Sequence, residues 1–163
     1  MNHFVYCDPK LCIGCGMCER RCIMAHEHIS IKEVKLDDSL QRQRCKVHKT
    51  LANVAVHCRH CENAPCKAAC PVGAIVHRDD NMIYVKEKEC IGCKACILAC
   101  PFGAIYLGDM ADGRKVATKC DLCRDVADTP QCVAGCPKKA LTLYTEDAIK
   151  ALILSKNIAE RGN

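Results

Sequence analysis

The chain has no tryptophan, only two phenylalanines and four tyrosines in 163 residues. Large aromatic side chains dominate ordinary cores, so a chain this poor in them needs another filler. Small interiors without enough apolar bulk are usually held by disulfides or metal. Long apolar runs are missing as well. A stretch such as AIKALIL is far too short to cross a bilayer, so no membrane span is expected. The N-terminus, MNHFVYCDPKLCIGC, shows no apolar h-region and no twin-arginine pair. A cytoplasmic protein with reduced thiols is therefore expected, one that travels at most with an exported partner. There is no Rossmann or P-loop glycine pattern and no nucleophile–base pair. With disulfides excluded on compartment, metal remains.

Cysteine is present in excess, at 18 residues, far beyond ordinary usage. Sixteen of them form four sets. Cys12, Cys15, Cys18 and Cys22 follow C-x2-C-x2-C-x3-C, and Cys90, Cys93, Cys96 and Cys100 repeat it. Cys58, Cys61, Cys66 and Cys70 lengthen one gap to four residues; Cys120, Cys123, Cys132 and Cys136 lengthen it to eight. An internal repeat of this kind organises the chain.

The three-residue step has a physical reason. A 4Fe–4S cubane needs a loop wrapped around it with a sulfur turning inward every third residue, while backbone N–H groups face the cluster sulfides. Gly14 and Gly92 are expected where a side chain would hinder that approach. In two-cluster ferredoxins the fourth cysteine ligates the other cluster. Zinc sites draw ligands from two separated C-x2-C pairs and have no use for a third cysteine at the next step. The spacing therefore predicts four 4Fe–4S clusters with sixteen cysteine ligands.

That prediction changes the meaning of the charge. Lys and Arg exceed Asp and Glu by five, but four clusters at about −2 each would turn the balance to about −3. The cations then read as compensation for buried anions. No basic stripe interleaved with aromatics accompanies them, so nucleic acid is not expected as a partner.

Between the motifs the chain reads as short strands and turns. AIVHR and NMIYVK flank RDDN as one hairpin; AIYLG and RKVATK flank DMADG as another. Short helical turns are expected after Cys18, Cys66, Cys96 and Cys132. The fold class is α+β, with small elements packed on clusters.

The phrases CIGC, CRHCENAPC, CPVGAI, CIGCKAC and CDLC resemble the four-cluster iron–sulfur electron-transfer subunits of the dimethyl sulfoxide reductase class, over about residues 3–145. The likeness is greatest to the unanchored branch: component B of formate hydrogenlyase, the iron–sulfur subunits of hydrogen-dependent carbon dioxide reductase, and the carbon monoxide dehydrogenase electron carrier. The resemblance implies two ferredoxin-like modules, the first motif paired with the fourth and the second with the third. One cluster would take Cys12, Cys15, Cys18 and Cys136, and its mate Cys120, Cys123, Cys132 and Cys22. The other module would hold Cys58, Cys61, Cys66 and Cys100, and then Cys90, Cys93, Cys96 and Cys70. Ile23 stands where the family has proline. Implied partners are a molybdenum or tungsten formate dehydrogenase and a hydrogenase, with carbon monoxide dehydrogenase as the alternative.

Other residues carry weaker expectations. Cys7 and Cys45 lie outside the sets and are expected to be small buried hydrophobes. His57 and His60 flank Cys58 and are either tuning groups, through N–H···S contacts or charge, or ordinary loop histidines. His26 and His28 follow Cys22 but lack a second ligand pair, so no further metal is expected there. The basic run QRQRCKVHK, residues 41–49, reads as a solvated loop, or one facing a partner. The cluster domain is expected over residues 1–145. Residues 146–163 form a C-terminal helix and tail, with Thr145 as N-cap. The helix's wide apolar surface rests on its own body or on a neighbouring subunit, such as a second similar iron–sulfur subunit.

Four thiolates on every cluster leave no open metal position, so the expected role is non-catalytic: relaying electrons between enzyme subunits. A redox sensor or a cluster-delivery protein is the reading from a different class.

Overall fold

The computed structural model describes residues 3–37, 41–145 and 147–151. Strand β1 (Phe4–Cys7) and helix α1 (Met17–Glu27) come first, then β2 (Lys46–Lys49) and β3 (Asn53–Val56). Helix α2 (Pro65–Ala68), strands β4 (Ile75–His77) and β5 (Ile83–Val85), and helix α3 (Ala95–Ala99) occupy the middle. Strands β6 (Ile105–Asp109) and β7 (Lys115–Lys119), helix α4 (Gln131–Ala134) and strand β8 (Leu141–Tyr144) follow. The fold is mixed α and β.

The strands pair as four antiparallel ribbons, β1 with β8, β2 with β3, β4 with β5 and β6 with β7. The expected hairpins are β4–β5 and β6–β7. In the first, Asn81 takes a left-handed conformation (φ 61°), which asparagine tolerates better than most residues. The β1–β8 ribbon is long-range, with Phe4 opposite Tyr144 and Cys7 opposite Leu141. It draws the first motif to the fourth, and α1 packs on α4 while α2 packs on α3. Helix α1 has 11 residues, longer than the expected turn.

Cysteine supplies much of the core. One buried group joins Val5, Cys7, Cys18, Cys22, Cys45, Ala55, Cys132 and Leu141. A second joins Cys66 and Cys96 to Ile75, Ile83, Val85 and Ile105. Between them Cys58, Ala104 and Cys120 pack together. The scarce aromatics are used elsewhere. Arg59 lies 4.7 Å from the Phe4 ring centre, 5.8 Å from Tyr6 and 5.9 Å from Phe102. These cation–π contacts tie the β1–β8 ribbon to the turn after Cys100.

The basic run corrects the sequence reading. It is neither solvated nor a loop throughout: Cys45 is buried, and Lys46–Lys49 form β2. The Arg42 and Arg44 side chains are largely buried. Arg42 pairs with Glu87 at 2.9 Å; Arg44 reaches Glu87 at 3.6 Å and Asp121 at 3.5 Å. The cause is a carboxylate far along the chain, which no local pattern reveals. In the tail, the Ala148 N–H donates to Thr145 Oγ1 at 3.3 Å and residues 147–151 are helical. The rest of the expected helix lies outside the described residues.

Removing Glu87 leaves two largely buried guanidinium groups short of a partner, which is strongly destabilising. Glu87→Ala is expected to shorten the half-life of the anoxically purified protein in urea about tenfold, equal to about 1.4 kcal/mol. An unchanged half-life in far-UV circular dichroism would show that the arginine cluster contributes nothing to stability.

Candidate metal centre

Each motif presents its sulfurs from a loop entering a short helix. Cys18 and Cys22 ride on α1, and Cys66, Cys96 and Cys132 on α2, α3 and α4. Cys12, Cys15 and Cys18 line an apolar cavity together with Cys136, Val47, Ala55 and Leu141. Cys70 lines another with Cys90, Cys93 and Cys96. Cys22 lies instead within electrostatic reach of Cys120, Cys123 and Cys132. Cys58 and Cys100 act likewise on Cys61 and Cys66. Each of the two cavities thus brings three sulfurs of one motif together with one from another. Among the cysteines only Cys15 and Cys93 are exposed.

Burial controls the chemistry of these thiols. It pushes Cys66 and Cys123 up to about 11, with neighbouring cysteine charges adding to the effect. Cys120 and Cys132 are raised further, again chiefly by burial. Such thiols stay protonated until a cation draws the proton off, the usual coupling of metal binding to folding.

The surroundings fit a thiolate-bound cluster. Backbone N–H groups donate to motif sulfurs: His60 to Cys58 at 3.3 Å, Ala117 to Cys90 at 3.4 Å and Ala140 to Cys136 at 3.3 Å. Arg44 donates to Cys22 at 3.4 Å and Gln131 to Cys123 at 3.5 Å. The buried Lys119 side chain, 2% exposed, is a cation without a carboxylate partner among the described residues. Burying it requires an anion nearby.

Gly14 and Gly92 meet a constraint besides the one the spacing suggested. Both adopt positive φ, 67° and 68°. A Cβ on Gly14 would stand 2.7 Å from Asn53 Oδ1, and one on Gly92 would meet the carbonyl of Lys115. Each glycine lets its loop lie against a neighbouring strand, β3 in one case and β7 in the other.

Cys7 and Cys45 are buried, at 4% and 1% exposure. Cys45 also touches motif sulfurs. Hydrogen bonds to Cys18 and Cys22, then burial, hold its thiol well above the ordinary value. Cys45 is accordingly the donor, and Cys22, its acceptor, falls to about 5. Cys7, raised to about 11 chiefly by burial, lies against Cys12.

His57 and His60 lie in the loop after β3, buried at 3% and 1% exposure. Burial lowers His57 to about 4; burial and Lys119 lower His60 to about 2. Burial thus favours the uncharged imidazole at both. His60 Nδ1 accepts the Ile83 N–H at 3.1 Å, while His57 Nδ1 donates to the Ala55 carbonyl at 3.2 Å.

His26, set aside in the sequence, occupies a central position. Its Nδ1 donates to the Cys22 carbonyl at 2.7 Å, and its Nε2 to Asp121 at 2.9 Å. His26, Asp121 and Cys123 converge within 4.8 Å, but both ring nitrogens are engaged as donors, so the histidine works as a bridge. Burial opposes its charge, yet Asp121 and Cys22 outweigh that and push it up to about 10. Its partner Asp121 is 95 residues away, which hides the bridge from any local motif. His28 caps the end of α1.

The 4Fe-4S dicluster domain matches residues 49–146. The chain belongs to that iron–sulfur family. The match spans the second, third and fourth motifs, and a 4Fe-4S binding domain matches residues 9–24 around the first. Relatives of this dicluster protein include electron transport protein HydN of Escherichia coli (strain K12), 34% identical, with 96% of this chain and 95% of HydN covered. Hydrogenase-4 component A of the same organism is 36% identical over 96% of this chain and 89% of its own. AegA of E. coli (strain K12), named as an oxidoreductase, is 40% identical over 97% of this chain. The chain spans only 24% of AegA's length.

The His26–Asp121 pair gives a pH test. A histidine raised from the ordinary 6.5 to about 10 contributes stability fully below pH 6.5 and loses it as pH rises through 10. His26→Ala is expected to cost about 1–2 kcal/mol near neutral pH. The gap from the parent protein should close by pH 10 in anoxic thermal unfolding; a gap independent of pH would remove the imidazolium from the account.

Proposed function

We propose that the chain is a four-cluster relay subunit that carries electrons between the subunits of a redox enzyme complex. The observation that carries this reading is the pair of cavities in which three sulfurs of one motif are joined by one from another. The chain's role is to hold its sulfur groups, exclude water from most of them and set their charge environment. The bound clusters supply one-electron carriage at iron with no position left for substrate.

The ligand sets proposed are Cys12, Cys15, Cys18 and Cys136; Cys120, Cys123, Cys132 and Cys22; Cys58, Cys61, Cys66 and Cys100; and Cys90, Cys93, Cys96 and Cys70. Packing supports their order. The first set meets the second in the core group of Cys18, Cys22 and Cys132. Cys58 and Cys120 link the second to the third, and Cys66 and Cys96 link the third to the fourth. The exposed sulfurs Cys15 and Cys93 belong to the two end sets, so the relay opens to solvent at both ends. Modules built from motifs one and four and from motifs two and three fit this arrangement.

Motif phrasing of the dimethyl sulfoxide reductase class and the hydrogenase name among the relatives support a hydrogenase and a molybdenum or tungsten formate dehydrogenase as partners. A carbon monoxide dehydrogenase is the alternative. The cytoplasm is the proposed compartment. Residues 1–145 form the relay, and residues 146–163 join it to a neighbouring subunit, including a second similar iron–sulfur subunit.

Anoxic purification is expected to yield about sixteen iron and sixteen acid-labile sulfide per chain; zinc without sulfide would overturn the assignment. Cys22→Ser tests the exchange of fourth ligands. It should alter the electron paramagnetic signal of the cluster held by Cys120, Cys123 and Cys132 and leave that of Cys12, Cys15 and Cys18 intact. A lesion at the latter cluster would reverse the pairing.

A further inference from the structure

Lys119 closes β7 directly before Cys120 and is 2% exposed. A lysine in a strand normally points to water or lets its long stem reach the surface. Here the ammonium stays inside, donating to the Ile83 carbonyl and, at 2.8 Å, to the Cys120 carbonyl. No carboxylate pairs with it among the described residues. Asp121, two residues further along the chain, is occupied by His26 and Arg44. Two carbonyl dipoles offset only part of the several kcal/mol that burying an ammonium costs.

Its position identifies the missing anion. Lys119 adjoins Cys120 of one sulfur group and acts electrostatically on Cys66 of another. Those are the two middle groups, whose Cys58 and Cys120 pack on each other through Ala104. The ammonium therefore lies at the joint between the two sites that carry most of the buried sulfur. The end groups, which hold Cys15 and Cys93, have no comparable buried cation among the described residues.

We propose that Lys119 is a fixed counter-charge that raises the reduction potentials of the two middle clusters and leaves those of the two end clusters unmoved. This rests on the four-cluster relay reading. Reduction adds one electron to a cluster and requires no bond change or proton. The added negative charge is stabilised by a nearby cation, and more so where water is excluded. Lys119 is thus a positioning residue for charge; it ligates nothing.

The test is an anoxic redox titration of the full-length, iron-loaded chain followed by electron paramagnetic resonance, comparing the parent with Lys119→Met, Lys119→Gln and Lys119→Arg. Glutamine keeps a donor for a carbonyl without the charge, so it replaces the methionine variant if that one does not assemble. Expected is a shift of both middle clusters to more negative potential in the neutral variants, with the end clusters unmoved and the parent values retained by arginine. Unchanged potentials in a neutral variant with full iron content would overturn the proposal, as would an equal shift of all four clusters or an arginine variant that behaves like methionine. Each of these leaves the relay reading standing. A parent protein without four clusters would instead overturn the relay reading and this inference with it.

Discussion

A chain with six aromatic residues in 163 cannot fill its interior with hydrocarbon alone, and the structure shows sulfur in that place. Valine, isoleucine and alanine line the buried groups, but cysteines join one element to the next. Thiols are small, and burial raises those of Cys66, Cys120, Cys123 and Cys132, so in themselves they provide little cohesion. Their value depends on a cation that converts them to thiolates and binds four at once. The short strands, the four-residue helices and the glycine loops serve to bring sulfurs from distant positions to common points.

The electrostatics follow from the same requirement. The chain surrounds its sulfur groups with donors: five backbone N–H groups, the thiol of Cys45 and the doubly engaged imidazole of His26. Lysine and arginine charges that look like surplus in the composition are drawn inward at Lys119, Arg42 and Arg44. Glu87 and Asp121 accept both arginines and His26, so one small network of charges links the loop after α1 to the third and fourth motifs.

The sequence revealed features whose cause is local. Cysteine spacing is a property of one loop, and the β4–β5 and β6–β7 hairpins follow from alternation around turn residues. Features with a distant cause were hidden. The covering of Arg42 and Arg44 in the basic run could not be read without knowing that Glu87 and Asp121 fold against them. His26 lacked a ligand pair within its own stretch, and its true partner came from the fourth motif. The glycines at 14 and 92 stand out in the motifs, but the strands they lie against, β3 and β7, come from elsewhere in the chain. Lys119 escaped notice because β7 is buried on both faces from Val116 onward, which removes the alternation that marks an inward charge.

The β1–β8 ribbon has a consequence for the order of events on the ribosome. Synthesis runs from the N-terminus, so Cys12, Cys15 and Cys18 emerge long before Cys136 and the strand facing Phe4–Cys7. The second and third motifs, residues 58–100, are both complete before the fourth begins. The nascent chain therefore carries its first motif open to solvent, and to whatever delivers iron and sulfide, until β8 has emerged.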